Sequence, residues 1–197
     1  MRVGLYFGSF NPIHNGHLII ANYFINETDL NEIWFVVSPQ NPFKQKKGLL
    51  NENHRLHLVK AAIEGEQKLK ASNVEFKLPK PSYTINTLVY LQEKYPKHEF
   101  IIIMGSDGFQ NIEHWKNASL ILENYEIYIY ERPNYTVSQA SVSTNIKIAN
   151  APLLEISSTH IRSLIKSAKS IRYLVPDAVL EEIKNQQYYQ SELENPS

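Results

Sequence analysis

Three continuous apolar runs, "VGLYF" at 3–7, "IWFVV" at 33–37 and "FIIIM" at 100–104, constrain the fold of this chain more than any other feature. They are rich in β-branched and aromatic residues and do not alternate with polar ones. That is the pattern of strands buried on both faces of a parallel sheet. Two further runs, "VEFKL" at 74–78 and "YEIYIY" at 125–130, complete five strand candidates. Segments with helical spacing lie between them: His17 to Glu27 after the first run and Asn51 to Glu64 after the second. Ser82 is read as the N-cap of a helix carrying Ile85, Leu88 and Val89 on one face. Ser157 or Ser158 is read as the cap of another, whose Ile161, Leu164, Ile165 and Ala168 fall at i, i+3, i+4 and i+7. Strands alternating with helices predict right-handed crossovers and an α/β fold, an open doubly wound parallel sheet. In such a sheet ligands bind beyond the carboxyl ends of the strands, where the strand order reverses. A last helix is expected to start at Pro176 and Asp177, giving a small C-terminal helical part. One domain is expected over 1–190, with 191–197 a frayed tail.

The chain is 197 residues long, a length that suits one domain with a sizeable core. Lys plus Arg and Asp plus Glu both number 20, so no global charge draws it to nucleic acid or an anionic membrane. Any anion site must therefore be local. Cysteine is absent, which excludes disulfides and thiolate metal sites. The first residues lack a signal peptide's features, and no apolar run approaches the ~18 residues of a membrane span. The expectation is a cytoplasmic protein, with room left for a homo-oligomer.

Between the first strand and the first helix lies "GSFNPIHNGH", residues 8–17. Gly8 is expected to let backbone approach a ligand, Ser9 and Phe10 to offer backbone N–H groups, and Pro12 to stiffen the turn. The following helix turns its positive end to the same space. His14 and His17 are three apart and face one way on a first helical turn. Two imidazoles there can donate to phosphate oxygens as charge develops on them. A lone histidine near a turn is usually structural, but the combination of strand, Gly, Pro, His-x-Gly-His and helix points to phosphate binding.

"GSFNPIHNGH" resembles the G-x-F-x-P-x-H-x-G-H signature of the nucleotidyltransferase superfamily, and "ISSTHIR" at 156–162 resembles its second motif, I-S-S-T-x-I-R. "SPQNPFKQ" (38–45), "SYTINTL" (82–88), "GSDGFQNIEHW" (105–115) and "ERP" (131–133) are similar to segments of the bacterial nicotinate mononucleotide adenylyltransferases. The resemblance spans nearly the whole chain. It implies a Rossmann-like sheet and transfer of AMP from ATP to nicotinate mononucleotide, giving nicotinate adenine dinucleotide and pyrophosphate in NAD synthesis. It also implies small-molecule substrates, no nucleic acid partner, and Mg²⁺ carried on the ATP phosphates with no protein metal site.

Carried over motif by motif, the resemblance puts His14 and His17 on the triphosphate, with His17 nearest the reacting phosphoryl. Arg162 would grip the outer phosphates with its planar fork, and Lys44 would reach over them from the loop after the second strand. Gly8, Ser9, Phe10, Gly105, Asp107, Ser158 and Thr159 would complete the ATP site. Asp107 could instead cap the short helix that follows it, and both uses are compatible. The family often has Asn where this chain has Gly108. For the acceptor, Trp115 would stack on the pyridine ring, although a core tryptophan reads the same, and Thr84 would meet the nicotinate carboxylate at a helix N-terminus. Arg132 would contact the adenosine or acceptor side. His54 and His57 follow no glycine loop and are read as surface or packing residues. Phosphopantetheine adenylyltransferases share the two motifs but fit "SYTINTL" and Trp115 poorly. Nicotinamide mononucleotide is a harder rival acceptor, and a nucleotide-binding regulator would have no need of the complete His14, His17 and Arg162 set.

Overall fold

Six parallel strands hydrogen-bond in the order β3-β2-β1-β4-β5-β6 in the computed structural model, which describes residues 1–40, 48–135, 137 and 144–190. The strands are β1 (Arg2–Gly8), β2 (Glu32–Val37), β3 (Leu69–Ser72), β4 (Glu99–Gly105), β5 (Ile127–Tyr130) and β6 (Ile146–Ala149). The main helices are α1 (Asn15–Glu27), α2 (Glu52–Ala62), α3 (Thr84–Lys94), α4 (Ser106–Phe109), α5 (Ala118–Asn124), α6 (Ser158–Lys166) and α7 (Asp177–Asn185). The chain winds outward from β1 through β2 to β3, then returns to lay β4 against the other side of β1. The switch point of this doubly wound Rossmann-like sheet therefore lies between β1 and β4, whose register sets Tyr6 beside Ile103.

Both faces of the central strands are buried, as their unbroken apolar runs require. Tyr6, Phe35, Ile101, Ile103 and Tyr128 pack on one face beneath α1, α2, α6 and α7. Leu5, Val36, Ile102, Met104 and Ile129 pack on the other beneath α3 and α5. The period of two sends neighbours such as Leu5 and Tyr6 to opposite cores. Among the described residues no helix is long and apolar enough to cross a membrane.

Several local expectations are corrected. "VEFKL" is no strand: Val74–Lys77 forms a 3₁₀ turn, and the third strand is the preceding Leu69–Ser72. An edge strand bonded only to β2 can be built from the half-buried "LKAS" without an apolar run. The other edge, β6, has the sequence "IKIA" with its middle residues exposed, and gave no sequence signal either. Helix α3 is preceded by Tyr83 at the N-cap position, so Ser82 is not its cap. Its buried face is Ile85, Thr87, Leu88 and Leu91, while Val89 is exposed. Ser157 does cap α6, its side chain accepting from the His160 N–H, but Ala168 lies past the helix end with φ of 52°. Helix α7 begins at Asp177 behind Pro176, as expected.

Candidate active site

A cavity of about 860 Å³ opens at the carboxyl ends of β1 and β4, where the sheet reverses. The loop from β1 to α1 forms one wall. Gly8 ends the strand, and a Cβ there would lie 2.8 Å from the Phe10 ring. The missing side chain thus makes room for Phe10, and Gly8 itself lines the cavity. Phe10 sits at a φ of 43° and turns its ring into the core, against Tyr6, His17 and Phe35. Both Ser9 and Phe10 line the cavity.

His14 occupies the N-cap position of α1, and its backbone N–H donates to His17 Nδ1 at 3.2 Å. The two rings stack with centroids 3.7 Å apart. A neutral His17 that accepts at Nδ1 carries its proton on Nε2, a donor suited to an oxyanion. Burial, then the nearby Arg132 charge, push the His14 pKa down to about 4. His14 is therefore a neutral imidazole at pH 7, and its buried Nδ1 has no hydrogen-bond partner among the described residues.

The second motif is fastened onto this loop. Arg162 Nη1 donates to the Asn11 carbonyl at 2.7 Å across 151 residues of sequence, and its Nη2 reaches Thr159 Oγ1 at 3.4 Å. Ser158 Oγ donates to the Pro12 carbonyl at 2.9 Å, so that hydroxyl is committed to the fold. Ser158, Thr159 and Arg162 all border the cavity, at the N-terminal turn of α6. Asn15 adds a further tie, its Nδ2 donating to the Tyr173 carbonyl at 2.7 Å.

Sequence reasoning missed the residue that joins the loop after β1 to the segment after β2. Arg55 is fully buried. Its Nη1 donates to the carbonyls of Ser9 at 2.5 Å and Ser38 at 2.8 Å, its Nη2 to Pro39 at 3.3 Å, and its Nε to Leu50 at 2.7 Å. A signal existed, because Arg55 falls on the same stripe of α2 as buried Leu58 and Val59. The sequence-predicted Lys44 lies in 41–47, outside the described residues.

On the β4 side, Gly105 leads into α4, and a Cβ there would collide with the Asp107 carboxylate. Asp107 Oδ2 pairs with Arg132 Nη1 at 3.1 Å, and Arg132 N–H donates to Ser106 Oγ at 2.9 Å. The Asp107 side chain is thus turned to Arg132 and makes no cap for α4. Gly108 also borders the cavity. Beneath this pair the hydroxyls of Tyr6 and Tyr130 meet at 3.0 Å, and burial raises the pKa of both.

The far end is formed by the start of α3 and the segment after α4. Thr84, the first residue of α3, and half-buried Trp115 both line it. Glu75 lies there too, 2% exposed, with Thr87 Oγ1 donating to its Oε1 at 3.0 Å. Burial raises its pKa, and the neighbouring Ser38, Thr87 and Ser82 hydroxyls draw it partly back.

His54 and His57 stand away from the cavity. The His54 Nδ1 is 2.8 Å from the Tyr188 hydroxyl and His57 Nε2 is 3.4 Å from Glu182, so both reach the C-terminal helical part. Among the described residues no three His, Cys, Asp or Glu side chains converge to hold a metal ion.

The cytidylyltransferase-like family model matches residues 5–164. A relative from Cytophaga hutchinsonii, described as a "probable nicotinate-nucleotide adenylyltransferase", is 52% identical over 189 residues, covering 96% of this chain and 98% of its own. One from Flavobacterium psychrophilum with the same description is 49% identical, covering 96% and 99%. The Plasmodium falciparum nicotinic acid mononucleotide adenylyltransferase, solved in complex with NaAD, superposes with a TM-score of 0.84 at 21% identity, over 98% of this chain and 99% of its own. That likeness concerns the fold alone. On the near full-length identities, the chain belongs to the nicotinate-nucleotide adenylyltransferases within the cytidylyltransferase-like family.

Proposed function

We propose that the chain transfers the adenylyl group of ATP to nicotinate mononucleotide, releasing pyrophosphate and forming nicotinate adenine dinucleotide for NAD synthesis. The observation that carries this reading is the fastening of "SSTHIR" onto "FNPIH" through Arg162 and Ser158, which gathers two histidines, an arginine and two helix N-termini around one cavity. Such a set suits an anion whose charge shifts during reaction.

The acceptor's phosphate oxygen attacks the α-phosphorus of ATP in line. The bond from that phosphorus to the β-phosphate bridging oxygen breaks, and its electron pair leaves with pyrophosphate. The acceptor phosphate is already ionised at neutral pH, so no protein nucleophile is required, and catalysis is positioning plus stabilisation of charge. In this reading His17 donates from Nε2 to the α-phosphoryl, His14 donates from its neutral ring, and Arg162 keeps one arm on Asn11 while the other meets the outer phosphates. The backbone N–H groups at the start of α6 serve the same oxygens. Lys44 would add an ammonium from outside. Asp107 and Arg132 meet the adenosine part, Trp115 stacks on the pyridine ring, and Thr84 receives its carboxylate. A divalent cation, Mg²⁺ in this proposal, would neutralise phosphate charge as it enters bound to the triphosphate. The histidine and arginine donors suit phosphate oxygens, and Mg²⁺ prefers the oxygen ligands that the triphosphate itself supplies.

The test is pyrophosphate release from ATP with nicotinate mononucleotide, nicotinamide mononucleotide and phosphopantetheine offered separately. Preference for the first by ~10²-fold supports the proposal, since a polar site matched to one acceptor is left unpaired by the others. Release with phosphopantetheine alone, or with none, refutes it.

A further inference from the structure

The acceptor end of the cavity already contains a carboxyl group. Glu75 is 2% exposed, and the hydroxyls of Ser38, Thr87 and Ser82 surround its carboxyl, Thr87 Oγ1 donating to Oε1 at 3.0 Å. Glu75 and Ser82 line the cavity beside the first turn of α3. A guest carboxylate entering there meets Glu75, so a cation at this end decides which acceptor is favoured.

Lys116 supplies such a cation. Its Nζ sits 4.8 Å from the centroid of the Tyr83 ring, and Tyr83 holds the N-cap position of α3. Lys116, Tyr83, Thr84 and Trp115 border the same end of the cavity. Its ammonium has no carboxylate partner among the described residues, whereas Arg132 is paired with Asp107 and Arg162 with the Asn11 carbonyl. An ammonium resting on a ring face keeps N–H donors directed away from the ring.

We propose that Lys116 is a specificity-determining residue that selects an acid over the corresponding amide on the acceptor's pyridine ring, an inference that rests on the reaction proposed above. Lys116 attracts only the charged form, and the N-terminus of α3 adds to that attraction. The neutral amide gains nothing comparable from the ammonium. Lys116 is exposed, so replacing it leaves the fold intact.

Binding of nicotinate and nicotinamide mononucleotides to the whole chain, measured by calorimetry at low and high salt, tests this directly. In Lys116→Met the acid-to-amide affinity ratio falls about tenfold, the worth of one charge-assisted contact at a half-open site. Lys116→Arg keeps the preference. The ratio of the unsubstituted chain declines with salt, and that of Lys116→Met does not. A ratio untouched by Lys116→Met overturns the assignment, and so does equal binding of both mononucleotides by the unsubstituted chain. A preference that Lys116→Met abolishes supports it even without pyrophosphate release, an outcome that counts against the reaction alone.

Discussion

His14 and His17 are stacked on each other, yet their surroundings divide them. His17 is half-buried with Nδ1 occupied by the His14 backbone N–H, so the direction of its other ring nitrogen is fixed. Preoriented donors are worth most where charge develops, and His17→Ala is expected to lower turnover by on the order of 10²-fold or more. ATP affinity, spread over many contacts, should change far less; single-turnover kinetics beside a binding titration separates the two. His14 makes a different prediction. The folded ring titrates near pH 4 against an ordinary 6.5, so between those values the unfolded chain binds the extra proton. The part of the stability linked to this ring is therefore present in full above about pH 6.5 and is lost as pH falls towards 4. His14→Gln should flatten that part of the profile relative to the parent, measured as denaturant midpoints from pH 7 to 4.

Arg55 acts between elements. One guanidinium in α2 holds carbonyls from the loop after β1, the loop after β2 and the approach to α2 itself. Arg55→Met leaves those buried acceptors without donors, each costing roughly 1–3 kcal/mol. The expected result is a destabilisation of about 3 kcal/mol or more by chemical unfolding. Arg55→Lys should recover only part of it, because one ammonium cannot reproduce the planar fork. This residue also shows what was legible in the sequence. Strands β1, β2 and β4 were readable because strands covered on both faces must be apolar throughout. β3 and β6 were not, since an edge strand needs hydrogen bonds on one side and few apolar side chains. The histidine and "SSTHIR" segments announced themselves by residue type and spacing. The meaning of Arg55, Glu75 and Lys116 depends on partners elsewhere in the chain that no local pattern encodes, and the roles of Gly8 and the Ser158 hydroxyl in holding the loop were hidden for the same reason.

Across the whole molecule the two ends of the sheet are specialised. The amino end of β1 gathers charge: Arg2 pairs with Asp29 at 3.1 Å, Glu99 at 2.5 Å and Glu126 at 2.9 Å. Burial pushes both carboxyls up, but hydrogen bonds from Tyr128 and Arg2, with the Arg2 charge, hold Asp29 below the usual carboxylate range, and hydrogen bonds from Arg2 and Lys147 do the same for Glu126. All of this lies at the opposite end of β1 from the cavity. Arg2→Met should therefore lower stability by about 2 kcal/mol, as expected when charged hydrogen bonds are removed, and leave kcat/KM as it was. Thermal unfolding and steady-state rates on the same preparation check both halves of that statement.

The clasp of Arg162 and Ser158 on the Asn11 and Pro12 carbonyls has a consequence in time as well as in space. During synthesis on the ribosome the histidine loop emerges long before the residues that hold it. A nascent chain halted ahead of Ser157 carries both imidazoles and all six strands but lacks the hand that closes on them. The arrangement of the histidine loop thus depends on residues made 146 and 151 positions later.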